Sequence, residues 1–96
     1  MANPVDELRE IWSVSDGKVV VEGDSAIIKD LLASKLDKIK VDWSGWFTLY
    51  RHRESGQLWE LSYPMGEMHG GGPRLLRCLQ INDENEWETP PRPKNW

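Results

Sequence analysis

The sequence predicts an α+β domain, with one main amphipathic helix packed on a small, mostly antiparallel β-sheet and a short N-terminal helix. Three observations carry that expectation. Ile28, Leu31, Leu32, Leu36 and Ile39 recur at helical spacing, which predicts the main helix over about residues 25–38, with Lys29, Asp30, Lys35 and Lys38 mostly turned outward. Strand-like runs at 46–52, 57–63 and 74–81 are separated by turn-forming residues. The main helix precedes these strands rather than alternating with them, which is the order of an α+β domain.

Element by element, Asn3-Pro4-Val5-Asp6 reads as a helix start: Asn caps, Pro suits the first turn, and Asp6 and Glu7 favour the positive helix end. Val5, Leu8 and Ile11/Trp12 form an apolar stripe, so residues 4–12 are expected to be a short helix. Ser15-Asp16-Gly17 is a turn, and the β-branched run Lys18–Glu22 is a strand. Gly23-Asp24-Ser25 breaks that strand and caps the main helix. Lys40–Trp43 is expected to be a short strand. The runs 46–52 and 57–63 flank Arg53-Glu54-Ser55-Gly56, a hairpin connection with Gly where positive φ is wanted. In the second run Leu58, Glu60 and Ser62 alternate with Trp59, Leu61 and Tyr63. Both faces carry apolar groups, so this strand is central and Glu60 needs a partner or a wet edge. Pro64 ends it, a Gly-rich loop runs to Pro73, and Arg74–Ile81 resumes as a strand. Residues 1–81 therefore form a single domain, followed by an acidic, Pro-rich tail over 82–96, expected to be extended or loosely attached.

Ninety-six residues suffice for one domain and not for two. Six tryptophans supply core area, and one or two of them are available as binding anchors. The net charge of −4 argues against nucleic acid and suits a basic protein partner as well as plain solubility. One cysteine, Cys78, permits no intramolecular disulfide. No apolar run approaches the roughly 20 residues of a membrane helix, and the N-terminal residues lack a basic start and an apolar core. A cytoplasmic chain is expected, with oligomeric state unread and a monomer the default.

Two segments draw attention. In the first, Glu67 and His69 precede Gly70-Gly71-Gly72-Pro73. Glu67–His69 could be drawn as an acid–base pair and the glycines as an anion cradle. The loop lacks the Lys-Ser/Thr and following helix of a P-loop, however, and no Ser or Cys sits in a nucleophile context. A tight corner is the favoured reading, in which at least one glycine has φ > 0. His52, His69 and Cys78 show no metal-ligand spacing, and Cys78 reads as a small core hydrophobe. No catalytic residue, metal or cofactor is therefore expected. In the second segment, Asp42-Trp43-Ser44-Gly45-Trp46, two tryptophans flank a Ser-Gly turn and cannot easily both be buried. Either one of them closes the core as a lid, or Trp43 beside Asp42 is an exposed binding anchor.

The stretch from Leu49 through Gln57-Leu58-Trp59-Glu60-Leu61-Ser62-Tyr63-Pro64, continued by Glu67-Met68-His69-Gly70-Gly71-Gly72-Pro73-Arg74-Leu75, resembles the immunity protein 27 family of bacterial polymorphic toxin systems. Val41–Trp46 and Asp16–Val20 fit the same pattern, so the resemblance covers roughly residues 16–79. It implies a cytoplasmic, non-catalytic inhibitor that occludes a cognate protein toxin, the C-terminal domain of a larger secreted protein. On that reading the toxin-facing residues are Asp42, Trp43, Glu67 and His69, with the acidic run Asp83-Glu84-Asn85-Glu86 as a competing contact. The alternative from a different class is a small hydrolase or anion-binding domain using the Glu67/His69 loop.

Overall fold

A computed structural model describes residues 7–64 and 72–90. Among the described residues, six antiparallel strands form one sheet in the order β2-β1-β6-β5-β4-β3. They are β1 (Glu7–Ser15), β2 (Lys18–Gly23), β3 (Leu36–Val41), β4 (Phe47–His52), β5 (Leu58–Ser62) and β6 (Leu75–Cys78). Between β2 and β3 runs a short helix, α1 (Ser25–Asp30), prolonged by a wider turn over Leu31–Lys35.

The expected N-terminal helix over 4–12 is corrected. Residues 4–6 lie outside the described residues, and from Glu7 the chain is strand. Leu8 and Trp12 fit helical spacing, but with Glu10 and Val14 they also alternate in twos. Glu7–Arg9 pair with β6, while Glu10–Ser15 pair with β2. The β1–β2 hairpin closes through Asp16 and Gly17, both at positive φ (53° and 77°), the two-residue turn whose twist matches the strands.

The main helix is also shorter than the expected 25–38. Leu36 turns to extended angles (φ −114°, ψ 139°) and opens β3, so Leu36 and Ile39 belong to a strand that pairs with β4. Arg53 helps end the helix there. Its Nη1 donates to the Ser34 carbonyl (3.1 Å), its backbone N–H donates to the Lys35 carbonyl (2.9 Å), and its Nε meets Asp37 (2.8 Å). The first two of these bonds satisfy carbonyls that a helix end leaves without partners. One short helix thus stands where a long one was expected, and the sheet dominates.

The core lies between α1 and the sheet. Ile28 and Leu36 pack with Leu8, Trp59, Leu61, Leu76 and Cys78, and half-buried Leu31, Leu32 and Tyr50 border them. Cys78 is buried there as a small hydrophobe. Every residue of β5 is buried, as expected for the central strand. Glu60, on the face away from α1, receives Arg77 (3.2 Å) and the indole N–H of Trp87 (2.8 Å). Lys40 lies over the Trp87 ring, 5.8 Å from its centre. Lys40, Leu49 and Glu60 form one cross-strand row, so the indole spans that row across the fully buried Leu49. The tail expected to be loose is, through Pro90, laid against the sheet as a third layer. Asp83 and Glu86 close a capping box around the turn Glu84–Glu86 in that segment.

Candidate functional site

The β3–β4 connection is built by Asp42. Its Oδ1 accepts from the Ser44 N–H (3.1 Å), the Ser44 hydroxyl (2.7 Å) and the Gly45 N–H (3.0 Å). Gly45 takes φ 82°, which a side chain would strain. The Ser44 hydroxyl in turn accepts from the Trp46 N–H (3.1 Å), so the turn is held at each step. The Asp42 carboxylate, expected to face a partner, is half-buried and engaged in shaping the turn, and its Oδ2 is enclosed. Shaping that turn presents both neighbouring indoles. Trp43 is 39% and Trp46 43% exposed, so neither serves as a sealed lid on the core. The Trp43 N–H donates to the Pro90 carbonyl (2.8 Å). Trp46 meets Tyr63 edge to face, with ring centres 5.6 Å apart at 70°.

Tyr63 connects this turn to the Gly-rich loop. Phe47 pairs with Ser62, so the β3–β4 turn and the β5–β6 connection leave the same end of the sheet. Glu67 and His69 fall in that connection and lie outside the described residues, as do Gly70 and Gly71. Gly72 is described and has φ 71°, the positive φ expected of a corner glycine. Just beyond it, Arg74 reaches Glu10 on β1. The Arg74 guanidinium meets Glu10 Oε2 at 2.8 Å, its backbone N–H donates to Oε1 at 2.9 Å, and the Ser25 hydroxyl donates to Oε2 at 3.0 Å. Arg74's hydrogen bond outweighs the penalty of burial and holds the Glu10 carboxyl down to about 2 from the ordinary 4.5. The same bond raises the Arg74 pKa, whereas burial, with a smaller contribution from Tyr63, raises that of Tyr50. An open cleft of about 280 Å³ lies over this ion pair, lined by Trp12, Tyr63, Gly72 and Arg74 among others.

The immunity protein 27 family model matches residues 14–80. The chain belongs to the immunity protein 27 family. It matches no curated protein and no solved structure. The family segment runs from the end of β1 through β6 and holds the Asp42–Trp46 turn and the whole Gly-rich loop. It stops short of Trp87 and Pro90, the residues that touch Glu60 and Trp43 from the C-terminal segment. For an immunity protein the implied partner is a toxin, and the chemistry of the exposed turn is that of an aromatic contact. Its indoles sit on a hydrogen-bonded turn, and Trp46 packs on Tyr63, which lines the cleft over the Glu10–Arg74 pair. Among the described residues no three His, Cys, Asp or Glu side chains gather as a metal site, and no helix is long and apolar enough to cross a membrane. His52 Nδ1 accepts from the N–H groups of Glu54 and Ser55 (3.2 and 3.3 Å), a role in the β4–β5 turn.

Of the four residues singled out in the sequence, the structure describes Asp42 and Trp43 and places them in one turn, Asp42 shaping it and Trp43 displayed on it. Trp46 was visible in the sequence as the second tryptophan that could not easily be buried with the first. Tyr63 and the Glu10–Arg74 pair were not visible as parts of a surface. Arg74 and Glu10 are 64 residues apart, and no local pattern joins them.

Proposed function

We propose that this chain neutralises a cognate protein toxin by binding it stoichiometrically, without catalysis, with the Trp43/Trp46 turn at the centre of the contact. One observation carries the reading: two indoles stand exposed on a turn that Asp42 has already ordered. Ordering the turn in the free protein removes an entropic cost of binding, and aromatic groups on rigid loops are the side chains that most often dominate interface energy. The net charge of −4 supports a basic toxin surface by steering the encounter. In this reading Asp42 acts through the turn it holds, Glu67 and His69 also contact the toxin, and protection takes place in the cytoplasm of the producing cell.

Calorimetry against the cognate toxin domain tests the reading. Trp43→Ala and Trp46→Ala should each weaken binding roughly 30-fold, the equivalent of about 2 kcal/mol, while Glu67→Gln and other single charge changes cost less than about fivefold. Both variants should melt near the parent temperature, because neither indole is in the core. Unchanged affinity in both would place the contact on another surface. Slow conversion of the toxin at substoichiometric ratios would point to an enzyme instead.

A further inference from the structure

The two edges of the sheet are built differently. β3 ends it on one side with Asp37, Lys38 and Lys40 and a register shift between Lys38 and Lys40. Charges and bulges of this kind keep a further strand from adding. β2 ends it on the other side in unbroken register with β1, without proline, and among the described residues no strand pairs with its outer side. Ser15 and Lys18 flank a two-residue turn and so form a hydrogen-bonded pair, and Ser13–Val20 and Ile11–Glu22 follow in the same phase. The backbone N–H and C=O of Val19 and Val21 therefore point away from β1. Their side chains share a face with Trp12 and Val14, and Val14, Val19 and Val21 are 74%, 62% and 45% exposed.

We propose that β2 pairs with β2 of a second copy of this chain, antiparallel about a twofold axis at Val20, joining the two sheets into one. The segment Lys18-Val19-Val20-Val21-Glu22 is self-complementary in that register. Val19 falls opposite Val21 of the second copy, twice, and each such pair exchanges both backbone hydrogen bonds through groups that already face outward. Lys18 falls opposite Glu22, also twice, on the face shared with Val20. The apolar strips of Trp12, Val14, Val19 and Val21 then run on from one copy to the next. A one-residue slip would set the outward-facing valines against residues whose backbone groups are already used by β1. Parallel pairing in register would set Lys18 against Lys18. The register with its axis at Val20 meets both requirements.

This pairing replaces the monomer expected from the sequence, and it is independent of the toxin reading. β2 and the β3–β4 turn lie at opposite sides of the sheet, about 24 Å apart at about 4.8 Å per strand, so a dimer leaves both tryptophan turns accessible. Sedimentation equilibrium of the full chain over a range of concentrations tests it. The mass should rise from 11.1 kDa towards twice that value. Lys18→Glu and Glu22→Lys should each weaken association roughly tenfold or more, because each sets like charges opposite one another at both ends of the pairing. An equimolar mixture of the two variants should associate again, the all-acidic edge of one facing the all-basic edge of the other. Both side chains are exposed, so at a dilution where the parent is monomeric the variants should melt with it, and at higher concentrations the parent should melt above them as association adds stability. A parent chain that stays at 11.1 kDa up to about millimolar concentration overturns the proposal, and so does a mixture that associates no better than either variant alone. A monomeric parent whose Lys18→Glu variant loses toxin affinity would assign this edge to the toxin and overturn it equally.

Discussion

Glu10 shows how one side chain can tie distant parts of this chain together. It sits on β1, accepts from Arg74 beyond the Gly-rich loop and from Ser25 at the start of α1, and is buried. Its carboxyl is held at about 2 against 4.5, so the interaction stabilises the fold fully above pH 4.5 and is lost as the pH falls towards 2. That contribution is of order 3 kcal/mol at neutral pH, with more than half of it gone by pH 3. Urea denaturation of Glu10→Gln should accordingly show a large deficit at pH 7 that shrinks at pH 3, where the parent has lost its own advantage. A gap that stays constant across this range would mean that Glu10 packs rather than pairs. Gly23 is a second residue with a defined constraint. It has φ 72°, and a Cβ there would lie 2.6 Å from the Arg9 carbonyl oxygen, which accepts from the Asp24 N–H. Both the angle and the backbone clash oppose a side chain, so Gly23→Ala should cost more than about 1 kcal/mol. Gly17→Ala, with a similar angle and open space around it, should cost less.

At the scale of elements, the hydrophobic pattern marked where elements occur more reliably than which kind they are. Leu8 and Trp12 suit both a helix and a strand, and β6 on one side with β2 on the other settled the choice for strand. Ile28, Leu31, Leu32 and Leu36 match a helix over 25–38, with Ile39 in phase just beyond it, yet pairing with β4 draws Leu36 and Ile39 into β3. The helical face that remains is anchored on Ile28, which has no exposed surface, whereas Leu31 and Leu32 are half-buried. Ile28→Ala should therefore cost about 2–5 kcal/mol, and Leu32→Ala clearly less, in equilibrium unfolding. Equal losses at both positions would show that the helix packs on a face other than the one described. By contrast, the strands around 46–52 and 57–63 and the turn at Gly56 were legible because alternation and a turn residue with φ 78° lie within a few positions of each other.

For the whole molecule, the unexpected feature is the third layer. A sheet with a helix on one face leaves its other face to water unless something covers it, and here Leu49 on that face is fully buried. Trp87 covers the row Lys40–Leu49–Glu60 and gives Glu60 its second partner. Removing it exposes apolar surface and leaves a carboxylate oxygen of buried Glu60 without its donor. Trp87→Ala should thus destabilise the fold by about 2 kcal/mol or more, while Trp43→Ala, on the exposed turn, costs well below 1 kcal/mol. Equal stability losses for the two would dissolve the division between a structural and a displayed tryptophan. Pro90 links that layer to the candidate site, since its carbonyl receives the Trp43 indole.

The α+β class, the antiparallel hairpins, the central strand with its needy Glu60, the positive-φ corner at the end of the triple glycine, and the family are all legible along the chain. Each of these rests on residues close together along the chain: alternation in a run, a glycine in a turn, a motif in one loop. That the N-terminal segment is a strand, that the helix stops at Lys35, that Glu10 pairs with Arg74, and that Trp87 covers the Lys40–Leu49–Glu60 row emerges only once the chain is folded. Those outcomes depend on partners far away in sequence. Where two local conformations bury the same side chains, the long-range pairing that satisfies the backbone and the charges selects between them.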